Sequence, residues 1–578
     1  MYRDKYNEWL NSPFLDEKSK EELSAIQDDD KEVEDRFYRA LEFGTAGLRG
    51  ILGAGTNRMN VYMVKRATIG ILRYIEREYG EVGKKRGVVI AHDSRYFSDE
   101  FAKVAAHTLA QGGVKAYIFE ELTSTPELSF SVRHLNCVMG IVITASHNPK
   151  EYNGYKAYNE TGCQISPEVA SVVLEEAEKL QSIESIVKAV ECDSDFDSLV
   201  ADETIEWIGE EVDSIYLGEV KKQIIRQDII DEYADSLKII YTPLHGTGNK
   251  PVRRVLREVG FKHVQVVSEQ ELPDPEFTTV EYPNPEEKKV FDIAIEMAKE
   301  GNADVIIATD PDADRLGVVV KDDKGEYVVL SGNQTGALLV RYIIEGMFER
   351  GTLTDEIIEK YRPTIINTIV TSELGTEIAR HYGVECVKTL TGFKYIGEKV
   401  NDFEAEGRRF IMGYEESFGY LIGTHGRDKD GVVASLMVSE MSAYFKSLGM
   451  NLFDALKDTY EKFGYYRELT KSYTFKGSEG AKTMECIMEY FRNNDIDSVA
   501  GYKVVESLDF ERGIGDIPSS NVLKYILEGG SWVAVRPSGT EPKIKFYFSA
   551  NSDSEEKASA KLDSLVASFE EMIDSAVE

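Results

Sequence analysis

The sequence predicts an α/β fold: three related α/β units with mainly parallel mixed sheets, then a smaller C-terminal α+β unit. Three observations carry this expectation. An apolar strand, a polar or glycine-bearing loop and a helically spaced stretch recur three times along the chain. The last hundred or so residues lose that alternation. At 578 residues, with 42% apolar and 29% charged side chains, the chain is too long for one core and has the composition of a globular protein.

Residues 1 to about 40 read as acidic helix, with DDDKEVEDRF a solvated face or turn. GTAGLRG follows at 44–50. The three strands are GVVIAHDSR at 87–95, LKIIYTPLHGTG at 237–248 and PTIINTIVTSELG at 363–375; helical spacing follows each, in FAKVAAHTLAQGG, NKPVRRVLREVG and GTEIARHYG. Near the C-terminus, SYTFKG and GSWVAVRPSGTEPKIKFYFSA read as strands. MECIMEYFRNN and the series Leu562, Leu565, Val566, Phe569, Met572 and Ile573 read as helices. The expected units are 1–210, 211–330, 331–460 and 461–578.

A formal charge of −35, from 67 Lys and Arg against 102 Asp and Glu, opposes binding to nucleic acid or an anionic membrane. It leaves room for a small anion held by a local cluster of cations and N–H groups. Cys137, Cys163, Cys192, Cys386 and Cys486 are odd in number and never spaced CxxC, which argues against a disulfide framework or a zinc site. With no signal-like N-terminus and no apolar run of about 18 residues, a cytoplasmic protein is expected.

Four stretches carry chemistry. TASHNPKEYNGYK ends a strand with Ser146, a free hydroxyl suited to nucleophilic or carrier duty, with His147 and Lys156 near it in sequence. The glycines of a hydrolase elbow are missing, since Thr144 and Asn148 flank the serine. IIATDPDADRLGVVV runs a strand into Asp310, Asp312 and Asp314, an oxygen-only set that favours Mg²⁺ or Mn²⁺. A calcium loop is excluded by Arg315 and Lys321 at its sixth and twelfth positions. FIMGYEESFGYLIGTHGRDKDG offers Glu415 and Ser417 for sugar hydroxyls, and contains Lys429. VRPSGTEPKIKFY offers Arg536, Ser538, Gly539 and Thr540 as an anion-binding nest beside Lys543. Taken singly each has a bland reading, as a turn residue, a solvated acidic turn or a hairpin.

Together, in this order, TASHNP, DPDADR, GYEESFG and RPSGT resemble the α-D-phosphohexomutase family, and within it a phosphoglucomutase- and phosphopentomutase-like subgroup of DPDADR type, over nearly the whole chain. The resemblance implies a heart-shaped four-domain architecture. It implies that Ser146 carries a phosphoryl group and, with Asp310, Asp312 and Asp314, ligates one Mg²⁺. Glu415, Ser417, Gly392, Lys394 and Arg315 would contact substrate, and Arg536, Ser538, Gly539 and Thr540 would hold its non-reacting phosphate. His147, Lys156, Arg49 and Lys429 would surround the reacting groups.

The implied reaction is interconversion of glucose 1-phosphate and glucose 6-phosphate by a monomer or homodimer, with glucose 1,6-bisphosphate as intermediate and activator. Closure of the fourth domain over the substrate phosphate would exclude water. Pentose or mannose phosphates and glucose 1,6-bisphosphate synthesis are the alternatives within the family. Phe418 and Gly419, where some mannose-using members have histidine, demote mannose phosphate. A metal-dependent phosphatase with an aspartate nucleophile and a silent sugar-phosphate sensor are the alternatives outside it.

Overall fold

β-Branched, apolar runs make the central strands. β1 (Leu48–Ile51), β2 (Val88–His92), β3 (Ala116–Phe119), β4 (Met139–Ile143), β5 (Tyr152–Asn159) and β6 (Ile205–Ile208) form one sheet, ordered β1-β5-β4-β2-β3-β6. β2 is parallel to β3 and β4, and β3 to β6; β5 runs antiparallel between β1 and β4. β7 (Lys238–Thr242), β8 (His263–Val266), β9 (Val305–Thr309), β10 (Leu316–Lys321) and β11 (Tyr327–Leu330) form the second, ordered β11-β10-β9-β7-β8. β12 (Thr364–Thr368), β13 (Glu385–Thr389), β14 (Phe410–Tyr414) and β15 (Tyr420–Ile422) form the third, ordered β13-β12-β14-β15. The computed structural model on which this description rests covers residues 2–41, 47–190, 192, 194–475, 477–537 and 543–577.

β2, β4, β9 and β12 are buried at every position, as parallel strands covered on both faces must be. The helices Ser98–Gln111, Asn249–Val259 and Leu374–His381 follow the three predicted strands. In each sheet a parallel strand then turns back into an antiparallel neighbour: β4 into β5, β9 into β10, β14 into β15. The loops of these three hairpins carry TASHNP, DPDADR and EESF. The same topological position thus presents three different sets of polar side chains.

The acidic N-terminus is helical, Tyr2–Leu10, Glu17–Ala25 and Asp30–Phe37, with Asp29 capping the third helix. It is not merely a solvated face, because Val33 and Phe37 of DDDKEVEDRF are buried against Tyr6 and Trp9. One continuous apolar cluster runs through the first three units, joining Phe130 and Tyr158 to Val255 and Ile307 and to Leu339 and Met437. No helix among the described residues is long and apolar enough to cross a membrane.

The fourth sheet is all antiparallel: β16 (Tyr465–Thr474), β17 (Ser498–Val499), β18 (Tyr502–Asp509), β19 (Leu523–Leu527), β20 (Trp532–Pro537) and β21 (Lys543–Ser552), ordered β16-β21-β20-β19-β18-β17. It has its own core, in which Phe569 of the helix Glu555–Val577 stacks on Phe491 at 5.0 Å and meets Phe548 at 5.7 Å. Phe569→Ala removes that centre and costs about 3–5 kcal/mol. Urea unfolding followed by near-UV circular dichroism should show an early transition confined to this unit; a single unshifted transition would contradict the separate core.

A small seam fastens the fourth unit to the third. Ile369, Val370 and Leu390 pack on Phe510, Val522, Trp532 and Tyr547. Lys524 Nζ donates to the Ile369 carbonyl at 2.7 Å, 3.6 Å from Glu373, and Ser372 donates to Glu468. Desolvation pushes the Glu468 carboxyl up to about 7, against Ser372 and Arg467. It pulls the Lys524 ammonium down to about 8, against Glu373. Glu468 therefore supports the packed state at low pH, and that support is lost as pH rises through about 7. Lys524 opposes packing below about 8, and the opposition fades above it. The seam is weakest between these values. Glu468→Gln should raise the melting temperature of the fourth unit at pH 8 by a few degrees and flatten its pH dependence from 5 to 8; calorimetry showing an unchanged pH profile would remove Glu468 from this role.

Candidate active site

β4 ends because the chain turns at Ser146, whose φ of 53° is left-handed. Its N–H is taken by Thr144 Oγ1 at 2.8 Å. Arg95, just beyond β2, stakes the turn by donating to the carbonyls of Ser146 (2.6 Å), Asn148 (2.5 Å), Pro149 (2.8 Å) and Tyr152 (3.0 Å). Arg95 is itself held 3.3 Å from Asp93 and lies over the Phe277 ring. Arg49 on β1 donates to Asn148 Oδ1 at 2.7 Å. The hydroxyl of Ser146 donates to Asp310 Oδ2 at 3.0 Å and lies 3.2 Å from His147 Nδ1.

Asp310, Asp312 and Asp314 are buried, and each offers an oxygen within 4.8 Å of the others. Lys156 on β5 donates to Asp312 Oδ2 at 2.6 Å and to Asp314 Oδ2 at 3.3 Å; Lys429 lies 3.1 Å from Asp314 Oδ2. Thr125 binds the Asp312 carbonyl through its N–H and Asp312 Oδ2 through its hydroxyl. The Oδ1 atoms of Asp312 and Asp314 are buried without a hydrogen-bond partner. The free donors are all hard oxygens. This set suits a hard divalent cation.

Electrostatics follow from crowding. Burial, then Asp314 and Asp312, pushes the Asp310 carboxyl well up, whereas Lys429 and Lys156 hold Asp314 well down against burial. Burial would depress both lysines, but the aspartates keep each above its ordinary value. His147 is held well down, by burial first and then by Arg315 and Arg49.

On the third hairpin, Glu415 Oε1 accepts the Gly392 N–H at 2.7 Å, and burial followed by Glu416 raises its carboxyl to about 7. Ser417 is half-buried beside it. Gly419 has a specific reason to be glycine: a Cβ there would lie 2.3 Å from Cδ of Lys429. Arg315 follows the aspartates and bridges by backbone to Gly419, tying the second hairpin to the third. Lys394 is buried with its ammonium over the Tyr395 ring, and desolvation lowers it. It makes no hydrogen bond to Glu415, Ser417 or the aspartates among the described residues. Arg536 lies at the end of β20, opposite Lys545 of β21, and its charge reaches Glu416. Ser538, Gly539 and Thr540 lie outside the described residues.

The structure thus brings together Ser146, His147, Arg49, Lys156, Lys429, Arg315 and the three aspartates, with Glu415 on the third hairpin and Gly392 on the loop after β13 beside it. Asp93, Arg95 and Thr125 were not read from the sequence as site residues. The signal for the first two was a charged pair ending a fully apolar strand, in VVIAHDSR; Thr125 gave none.

Four family profiles match the chain, all of the phosphoglucomutase/phosphomannomutase type: α/β/α domain I over residues 40–184, domain II over 215–325, domain III over 331–463 and the C-terminal domain over 491–562. A phosphoglucomutase of Staphylococcus haemolyticus is 35% identical over 91% of this chain and 93% of its own. The chain belongs to the phosphoglucomutase/phosphomannomutase family. A phosphoglucomutase of Staphylococcus epidermidis is likewise 35% identical, over 95% of this chain and 97% of its own. Among solved structures of the phosphoglucomutase/phosphomannomutase fold, Paramecium pp63/parafusin in its open form superposes with a TM-score of 0.69, at 18% identity over 92% of this chain and 94% of its own. A family protein of Burkholderia thailandensis gives 0.65 at 17% identity, over 92% and 97%.

Proposed function

We propose that the chain is a phosphoglucomutase, interconverting α-D-glucose 1-phosphate and glucose 6-phosphate through a phosphoryl group carried on Ser146. The observation that carries this reading is the hydroxyl of Ser146, raised on a staked left-handed turn against a buried three-aspartate cluster. The names of the full-length relatives support the choice of substrate.

Asp310, Asp312 and Asp314, joined by an oxygen at Ser146, would hold Mg²⁺, which when bound would offset charge on the migrating group. Arg49, Lys156 and Lys429 add fixed positive charge around it, and Arg315 would contact the bound sugar phosphate. In the forward half-reaction a sugar hydroxyl attacks phosphorus. The new O–P bond forms as the Ser146 O–P bond breaks, the hydroxyl proton leaves to a neighbouring base, and the departing Ser146 oxygen takes up a proton, with His147 Nδ1 the nitrogen found beside it. The resulting glucose 1,6-bisphosphate turns over and returns its other phosphoryl group to Ser146. Glu415 and Ser417 would read sugar hydroxyls, and Arg536 with Ser538, Gly539 and Thr540 would grip the phosphate that is not moving.

The test is a coupled assay comparing glucose 1-phosphate, mannose 1-phosphate and ribose 1-phosphate with Mg²⁺, beside peptide mass analysis after exposure to glucose 1,6-bisphosphate. Phosphate on Ser146 and preferred turnover of the glucose ester support the reading. Phosphate on an aspartate, or release of inorganic phosphate without isomerisation, sinks it in favour of a phosphatase.

A further inference from the structure

Arg315 is held from both ends. Its backbone N–H donates to Asp310 Oδ1 at 3.0 Å, and its guanidinium Nη1 pairs with Glu286. Glu286 belongs to YPNPEE at 282–287, a stretch that the functional assignment leaves unused. This segment is a built turn. Asn284 N–H donates to the Tyr282 carbonyl at 2.8 Å, Asn284 Oδ1 accepts the Glu286 N–H at 3.2 Å, and Glu287 N–H donates to the Asn284 carbonyl at 2.9 Å. The turn presses on β10, where a Cβ at Gly317 would lie 2.8 Å from Pro285 Cβ and 2.7 Å from Phe291 Cζ. Only glycine at that position lets the turn lie this close to the sheet.

The carboxylate so delivered engages one nitrogen of Arg315 and leaves the others. Nε is buried without a hydrogen-bond partner, 3.9 Å from Asp314 Oδ1, and Nη2 makes no hydrogen bond among the described residues. Burial would depress the guanidinium, but Glu286, then Asp314 and Asp310, more than offset it. Its charge is felt by His147, by Glu415 and by Lys545 of the fourth unit.

We propose that Glu286 is a positioning residue for the reaction: by holding Nη1 from a rigid turn it fixes the guanidinium plane of Arg315, so that the remaining N–H groups meet a phosphate oxygen of the bound sugar phosphate. This rests on the reading of Arg315 as a substrate residue. A guanidinium gripping through two nitrogens needs its plane set, and an arginine held at one end of its fork binds with less loss of side-chain freedom.

The experiment is steady-state kinetics on glucose 1-phosphate for Glu286→Ala, Glu286→Asp, Arg315→Ala and the Glu286→Ala/Arg315→Ala double variant, with thermal unfolding of each. Removing an interaction made equally in ground and transition states raises KM with kcat unchanged. Glu286→Ala is therefore expected to raise KM about tenfold, the effect of roughly one charge-assisted hydrogen bond, with kcat within about twofold. Glu286→Asp should recover part of that loss. In the Arg315→Ala background the Glu286 substitution should add nothing, because its effect passes through Arg315.

An equal additional loss in that background would make Glu286 a prop of the loop and overturn the proposal. A lowered KM in Glu286→Ala would do the same, by showing a carboxylate that competes with the phosphate. If Arg315→Ala itself leaves KM unchanged, Arg315 is no substrate residue and the proposal falls with that assignment. A failure confined to Glu286 leaves the assignment standing.

Discussion

Ser146→Ala lowers kcat on glucose 1-phosphate by roughly 10⁴- to 10⁶-fold, the scale on which removing a covalent nucleophile acts. It also abolishes transfer of a phosphoryl group from glucose 1,6-bisphosphate to the protein. The side chain hydrogen-bonds to Asp310 and to His147, so the stability cost is about 1–3 kcal/mol and the fold should survive. That separation makes the result interpretable: mass analysis reads the carrier, the coupled assay reads turnover, and calorimetry excludes unfolding. Retained turnover in a folded Ser146→Ala protein would move the phosphoryl carrier elsewhere, with the aspartates the first place to look.

Asp312→Asn is expected to act on both metal and fold. Asp312 accepts from Lys156, which is itself buried, and from Thr125. Breaking a buried ion pair while leaving its partner charged costs about 3–5 kcal/mol, and Lys156 would then face only Asp314 at 3.3 Å. The Mg²⁺ concentration for half-maximal activity should rise by at least about 100-fold. In the wild-type protein Mg²⁺ at a hundred times its dissociation constant should add about 2.7 kcal/mol of stability; in the variant the addition should nearly vanish. Chelation should cut wild-type turnover, and Mg²⁺ should restore it. A chelated wild-type protein that turns over at full rate, with no thermal shift on adding Mg²⁺, would deny the aspartates a metal role.

Much of this was legible in the sequence because the signals are local. GVVIAHDSR, LKIIYTPLHGTG and PTIINTIVTSELG announce buried strands by continuous β-branched and apolar residues, and those strands form with helices after them. Asp310, Asp312 and Asp314 alternate on a single loop, so their proximity is nearly guaranteed by chain geometry. What escaped is non-local. Arg95 reaches carbonyls more than fifty residues on, Thr125 reaches Asp312 from another unit, and Glu286 reaches Arg315 through a turn whose purpose shows only against β10. The acidic N-terminal helix forms with its charged residues turned to solvent as expected, but its inner face escaped notice because Val33 and Phe37 are two apolar residues in a short helix whose charges dominate its composition.

The repeated hairpin bears on how such a protein can change its substrate. Ser146, the three aspartates and the Glu415–Ser417 pair each lie on a different hairpin, so under the proposed roles the parts can drift separately: a new sugar preference can arise in Glu415 to Phe418 while Ser146 and the aspartates stay as they are. Gly419 is where that independence ends. Any side chain added there would claim the space through which Lys429 reaches Asp314. A lineage or an engineer altering recognition at this position must first reroute a cation of the reaction centre, so variation should concentrate at the outer residues of the loop and spare the glycine.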